Sequence, residues 1–168
     1  MPVEVLVAGI GNVFLGDDGF GVEVARRLAA ETAPEGVRVV DFGIRAIHMS
    51  YELLDPPSLL VVVDAVRRGD PPGTLTVIEP SRAELERPSD GVADAHAMSL
   101  VSVLRSLRSL GGEPPPTRIV GCEPAFVDER LGLSEPVERA VPMALEIVRR
   151  EIARGLRTPS GAGRERSQ

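Results

Sequence analysis

The sequence predicts a three-layer α/β/α domain around a mostly parallel sheet, and three observations carry that expectation. Strand-like and helix-like patterns alternate along the chain, which is the order that builds such layers. Leu59-Leu60-Val61-Val62-Val63 is apolar at every position, as a strand buried on both faces at the centre of a parallel sheet must be. A first β-branched run at Val3, Val5, Leu6 and Val7 gives way abruptly to Gly9 and Gly11, the way a buried strand hands over to a loop.

After that first strand the loop ends in Asp17 and Asp18, just ahead of Val22, Val24, Ala25 and Leu28 at helical spacing. A helix is therefore predicted from about Asp18 to Glu31, with the acids where free N–H groups prefer negative charge. Pro34 and Gly36 turn the chain into a second strand, Val37 to Val40, ending at Asp41 and followed by a loop over Phe42 to Arg45. Ile47, Tyr51, Leu53 and Leu54 suggest a short amphipathic helix stopped by Pro56 and Pro57. The third strand, Leu59 to Val63, ends in Asp64. Thr74 to Ile78 alternates and reads as a half-exposed strand near an edge, and the polar segment 79–94, with Pro80 and Pro88, reads as a mobile loop. His96 opens a helix whose apolar face is Met98, Leu100, Val101, Val103, Leu104, Leu107 and Leu110, ended by Gly111-Gly112. A strand at Arg118 to Gly121 and a helix from Glu135 to Ala153 complete one domain over 1–154, with 155–168 a flexible tail poor in apolar residues.

At 168 residues the chain suits one domain, and an apolar fraction of 43% supports a real core. The net charge is −6 and every one of the 19 basic residues is arginine, with no arginine cluster interleaved with aromatics, so nucleic acid is not an expected partner. Cys122 is the single cysteine, which rules out an internal disulfide and a multi-cysteine zinc site. No basic leader precedes the first apolar run and no stretch nears the ~20 apolar residues of a membrane span. The expected location is cytoplasmic, with no membrane partner.

The first loop fits neither common phosphate cradle. A dinucleotide fingerprint counted from Gly9 requires glycine where Phe14 stands, and a P-loop requires a lysine that the chain lacks. Where those loops present backbone N–H groups, this one presents two carboxylates, which suit a cation. Ligands of open α/β sheets gather beyond the carboxyl ends of the strands. The polar residues there are Asn12, Asp17, Asp18, Asp41, Asp64, Cys122 and Glu123, and His96 sits at a loop-to-helix junction able to join them. Two carboxylates and an imidazole from separate loops make a mixed N/O site suited to zinc or nickel. Each member also has a plainer reading: Asp17 or Asp18 as a helix cap, Asp64 bonded to the next turn, His96 facing water. His48 has no partner at the strand ends and is read as structural.

Gly9-Ile-Gly-Asn-Val-Phe-Leu-Gly-Asp-Asp-Gly-Phe-Gly, Leu-Val-Val-Val-Asp64-Ala, Asp94-Ala-His96 and Val-Gly121-Cys-Glu-Pro124 together resemble the maturation endopeptidases of nickel-iron hydrogenases. The resemblance runs in order from about residue 3 to 150. It implies a phosphorylase/hydrolase-like fold whose five strands are ordered 2-1-3-5-4 with the fourth antiparallel. It further implies an aspartic-type endopeptidase that removes a C-terminal extension from a hydrogenase large-subunit precursor once nickel is in place. The family's metal-contacting positions fall on Asp18, Asp64 and His96, with Asp18 standing where the family often has glutamate. Asp18 and Asp64 are also the candidate catalytic carboxylates, and Asn12 and Asp41 the candidate substrate contacts. Nickel is expected to arrive with the substrate, with none tightly bound by the free enzyme. The family commonly carries Asp-Gly-Gly-Thr after its second strand, where this chain has Asp41-Phe-Gly43-Ile-Arg-Ala46.

Two other mechanisms fit the same residues. One is a cysteine hydrolase using Cys122 with His96 as base, although a cysteine at a strand end is more often a small buried hydrophobe. The other is a non-catalytic nickel metallochaperone binding through Asp18, Asp64 and His96.

Overall fold

A computed structural model describes residues 2–86 and 95–158, with the side chains at 86 and 95–99 outside that description. Five strands form one sheet in the order β2-β1-β3-β5-β4: β1 (Val5–Ile10), β2 (Val37–Gly43), β3 (Leu59–Ala65), β4 (Leu75–Ile78) and β5 (Thr117–Cys122). All neighbouring pairs are parallel except β4 with β5, which is antiparallel. Order and direction agree with the expectation, and β4 is indeed an edge strand.

The pleat divides the core in two. Val5, Val7, Leu59, Val61, Val63 and Val120 face α1 (Phe20–Ala29) and α5 (Glu135–Arg157). Leu6, Ala8, Ile10, Leu60 and Val62 face Met49 of α2 (Met49–Glu52) and the 100–107 stretch of α4 (Ala95–Ser109). Alternate residues of one strand thus bury against different helix layers, which is why β1 and β3 carry almost no polar residue before their ends.

Several boundaries differ from the sequence expectation. The first helix begins later: Gly16–Gly19 is a 3-10 turn holding both Asp17 and Asp18, and neither makes a side-chain cap bond. Phe42 and Gly43 belong to β2 and not to a loop, because the register shifts between Gly9 and Ile10 so that Ile10 pairs with Gly43 while Phe42 packs into the core. The short helix buries Ala46, Met49, Ser50 and Leu53, whereas Ile47, Tyr51 and Leu54 are exposed. A 3-10 turn at Ala46–His48 precedes α2, and the change from about 3.0 to about 3.6 residues per turn rotates the buried face away from the expected one.

Segment 79–94 also departs from a plain loop. It contains α3 (Arg82–Glu86), opened by a reciprocal cap in which the Ser81 N–H donates to Glu84 Oε2 at 2.7 Å and the Glu84 N–H to Ser81 Oγ at 3.2 Å. Residues 87–94 lie outside the described residues. Helix α4 ends as expected: the Gly112 N–H donates to the Leu107 carbonyl and the Gly111 N–H to that of Arg108, both at 2.9 Å, with Gly111 in the left-handed region. Helix α5 runs on through Leu156, which the sequence reading placed in the tail, and Gly155 lies against Val5 and Leu59. The tail from 159 lies outside the described residues.

Candidate active site at the carboxyl edge

The end of β1, the loop after it and the start of α1 approach unusually closely. A Cβ on Gly21 would lie 2.1 Å from the Val63 carbonyl oxygen and 2.5 Å from that of Ile10. One on Gly9 would lie 2.3 Å from the Gly21 oxygen. Only glycines allow the first turn of α1 to rest on the ends of β1 and β3. Gly11, at φ +134 with the Asp18 carbonyl oxygen 2.0 Å from its would-be Cβ, folds the loop back over the same spot.

This packing fixes Asp18. Its side chain is nearly buried, 4% exposed, and its Oδ2 accepts the Asn12 N–H at 2.9 Å. Asp64, also 4% exposed, follows Val63 in β3. By pleat alternation it falls on the face shared with Leu60 and Val62. Since β1 and β3 are parallel neighbours with Gly9 opposite Val63, Asp18 and Asp64 sit at the same edge of the sheet. Helix α4 precedes β5 through a turn at the amino edge, and its 15 residues span about 22 Å. That length returns its first turn, with the backbone of His96, to the carboxyl edge on the face of Asp64. The His96 side chain lies outside the described part, and no group of three His, Cys, Asp or Glu side chains placed to hold a metal ion occurs among the described residues.

The candidate substrate residues border a cleft of about 230 Å³ beside Asp18, lined by Gly11 to Phe14, Val22, Arg26 and Asp41 to Arg45. Asp41 is solvent-facing and 3.9 Å from the Arg26 Nε. The Asn12 side chain is committed to the turn, its Oδ1 accepting the Phe14 N–H at 2.9 Å.

Two carboxylates prove structural in ways that local sequence does not signal. Asp17, fully buried, accepts from the Ala125 N–H at 2.8 Å, the Phe126 N–H at 3.4 Å, and the Ser134 N–H and hydroxyl at 2.7 and 2.8 Å. It is neither a helix cap nor a ligand but the latch of the loop after β5. Glu123, buried, accepts the Arg68 N–H at 2.7 Å and the Gly69 N–H at 3.3 Å, holding the loop between β3 and β4.

Cys122 is unsuited to nucleophilic work. It packs beside Val120 in the core under α1 and α5, the face opposite α4. Burial, reinforced by the charges of Asp17 and Glu123, pushes its thiol from an ordinary 9.0 up to about 12, so thiolate is scarce at neutral pH.

The family model for hydrogenase maturation proteases matches residues 22–151. The chain belongs to that family. A hydrogenase expression/formation protein of Rhodobacter capsulatus is 31% identical over 164 residues, covering 96% of this chain and 77% of its own. The solved hydrogenase maturating endopeptidase from E. coli superposes with a TM-score of 0.77 at 26% identity, covering 92% of this chain and 93% of its own. A hydrogenase 2 maturation peptidase from a Thaumarchaeota archaeon gives a TM-score of 0.69 at 29% identity, covering 89% and 97%. This hydrogenase maturation protease thus superposes on those structures over most of its length, and no helix among its described residues is long and apolar enough to cross a membrane.

Proposed function

We propose that this protease is of the aspartic type and removes a C-terminal extension from the large-subunit precursor of a nickel-iron hydrogenase, in the cytoplasm, after nickel has been inserted. The observation that carries this reading is the pair of nearly buried carboxylates at one edge of the sheet, Asp64 at the carboxyl end of β3 and Asp18 in the turn that follows the loop after the neighbouring parallel strand β1, with α4 opening at the same edge.

Asp18, Asp64 and His96 complete the shell of nickel that the precursor carries. Oxygen and imidazole donors without thiolate leave a divalent ion exchangeable, so the ion belongs to the substrate and the free enzyme holds none tightly. Gripping it seats the scissile peptide over the edge, where one carboxylate takes a proton from water as the water oxygen bonds to the carbonyl carbon. The C–N bond then breaks and the proton passes to the departing amine. Asn12, through its backbone, and Asp41 border the path of the extension.

Asp64→Asn tests this assignment. The change keeps shape and volume, so the variant is expected to remain folded by circular dichroism while processing of nickel-loaded precursor, followed by the mass of the released fragment, falls at least about 100-fold. A folded variant that cleaves at the wild-type rate rules Asp64 out of the machinery.

A further inference from the structure

The most exposed large apolar side chains of the described residues are Ile44, Leu131 and Phe14, at 77%, 73% and 67%. They come from three different loops, after β2, after β5 and after β1, and all three loops meet at the carboxyl edge. Phe14 and Ile44 line the same cleft. Leu131 joins them because the loop after β5 is zipped to the loop after β1. The Arg130 N–H donates to the Phe14 carbonyl at 3.1 Å, the Gly16 N–H to the Arg130 carbonyl at 2.7 Å and the Asp17 N–H to the Phe126 carbonyl at 3.3 Å.

Large apolar side chains on scattered loops are ordinary, whereas a group gathered round one site marks an interaction surface. Here the bonds that Asp17 accepts from Ala125, Phe126 and Ser134 also tie the loop of Leu131 to the loop of Phe14. We infer that Phe14, Ile44 and Leu131 form an apolar rim on which the large-subunit precursor docks while its extension enters the cleft. This rests on the proposed function above.

Position and charge favour the precursor over a second copy of the chain. The rim is continuous with the cleft beside Asp18, so whatever sits on it also covers the cutting site, as a substrate must. Arg26, Arg45 and Asp41 line that cleft, with Asp41 3.9 Å from the Arg26 Nε, so the lining keeps an excess of positive charge in a chain of net charge −6, and an isologous pair would set that excess against its own copy. A partner bringing an apolar patch flanked by acidic groups matches it.

The test is the kinetics of nickel-loaded precursor cleavage by the triple variant Phe14→Ser, Ile44→Ser, Leu131→Ser. Tyr51→Ser and Met143→Ser, exposed apolar positions in α2 and α5, are the controls. The triple variant is expected to raise KM at least about tenfold with kcat within about twofold, and the controls to match wild type. An unchanged KM, or a loss confined to kcat, overturns the rim. So does a variant that alters only self-association in sedimentation, which assigns the surface to a second copy. Should wild type cleave no precursor, the functional reading fails, and calorimetric binding of the same precursor decides the rim by itself: binding weakened by the triple change supports it, and equal or absent binding overturns it.

Discussion

Asp17 and Ser134 are joined twice: Asp17 Oδ1 accepts the Ser134 N–H at 2.7 Å and Oδ2 accepts its hydroxyl at 2.8 Å. One residue lies in the turn that carries Asp18 and the other immediately precedes α5, 117 positions along the chain. The two bonds make the candidate active-site turn and the loop after β5 one body, so stability and site geometry depend on the same carboxylate.

Replacing Asp17 with alanine therefore leaves backbone donors at Ala125, Phe126 and Ser134 without their acceptor. Hydrogen bonds to a charged group are worth more than neutral ones, and orphaned buried donors keep their desolvation cost. Asp17→Ala is expected to destabilise the fold by about 3–5 kcal/mol in urea titration. A loss below about 1 kcal/mol would mean that the loop finds other partners and that the latch is dispensable.

Gly21→Ala probes how closely the site is assembled. Its methyl group would meet backbone oxygens of β1 and β3, at 2.5 and 2.1 Å, which cannot rotate aside as a side chain can. The first turn of α1 must lift from the sheet, separating Asp18 from Asp64, so stability is expected to fall by roughly 3 kcal/mol or more and cleavage with it. Gly69→Ala is the contrast: nothing lies within 4 Å of its would-be Cβ, and only the positive φ is strained, at about 1–2 kcal/mol. Equal thermal shifts in the two variants would contradict the packing argument.

Cys122 links stability to alkaline pH. Its thiol is raised from 9.0 to about 12, so below pH 9 both folded and unfolded forms keep the proton and the full stability is present. Between pH 9 and 12 the unfolded chain releases that proton while the folded chain holds it, and stability declines. Cys122→Ala is expected to lose less stability than wild type over that interval and to remain an active protease. Alkylating reagents should leave the native protein active at neutral pH, and inactivation by modification of Cys122 alone would instead favour a thiol nucleophile.

Local pattern made the strands legible. Leu59 to Val63 could only be a doubly buried strand, and the alternation over 74–78 did mark an edge. Sheet order is not local, and it came from the family resemblance, not from any periodicity. The face of the 46–54 segment was misjudged because a 3-10 turn feeding α2 shifts the angular repeat. The cap at Ser81 and Glu84 was present as Ser-x-x-Glu between Pro80 and Pro88, and the polar composition around it obscured it. At the site, Asp64 stood out because it ends an apolar run, and Asp18 because it closes a glycine loop ahead of a helical apolar stripe. The structural work of Asp17 and Glu123 did not, since their partners lie 54 to 117 positions away and no window of sequence contains both ends of such a bond.

The central claim is that cleavage reads the presence of nickel in the precursor, and the most direct measurement compares processing of nickel-loaded and nickel-free large-subunit precursor by the purified protease. Mass spectrometry of the released C-terminal fragment gives the rate. On the proposed reading Asp18, Asp64 and His96 have nothing to grip on an empty precursor, and association loses the contribution of the ion. The expected result is rapid release from the loaded form, at least about 100-fold slower release from the empty one, and no rescue when nickel is added to the enzyme alone. Equal rates on both precursors would contradict the account, even with the protein confirmed as a protease.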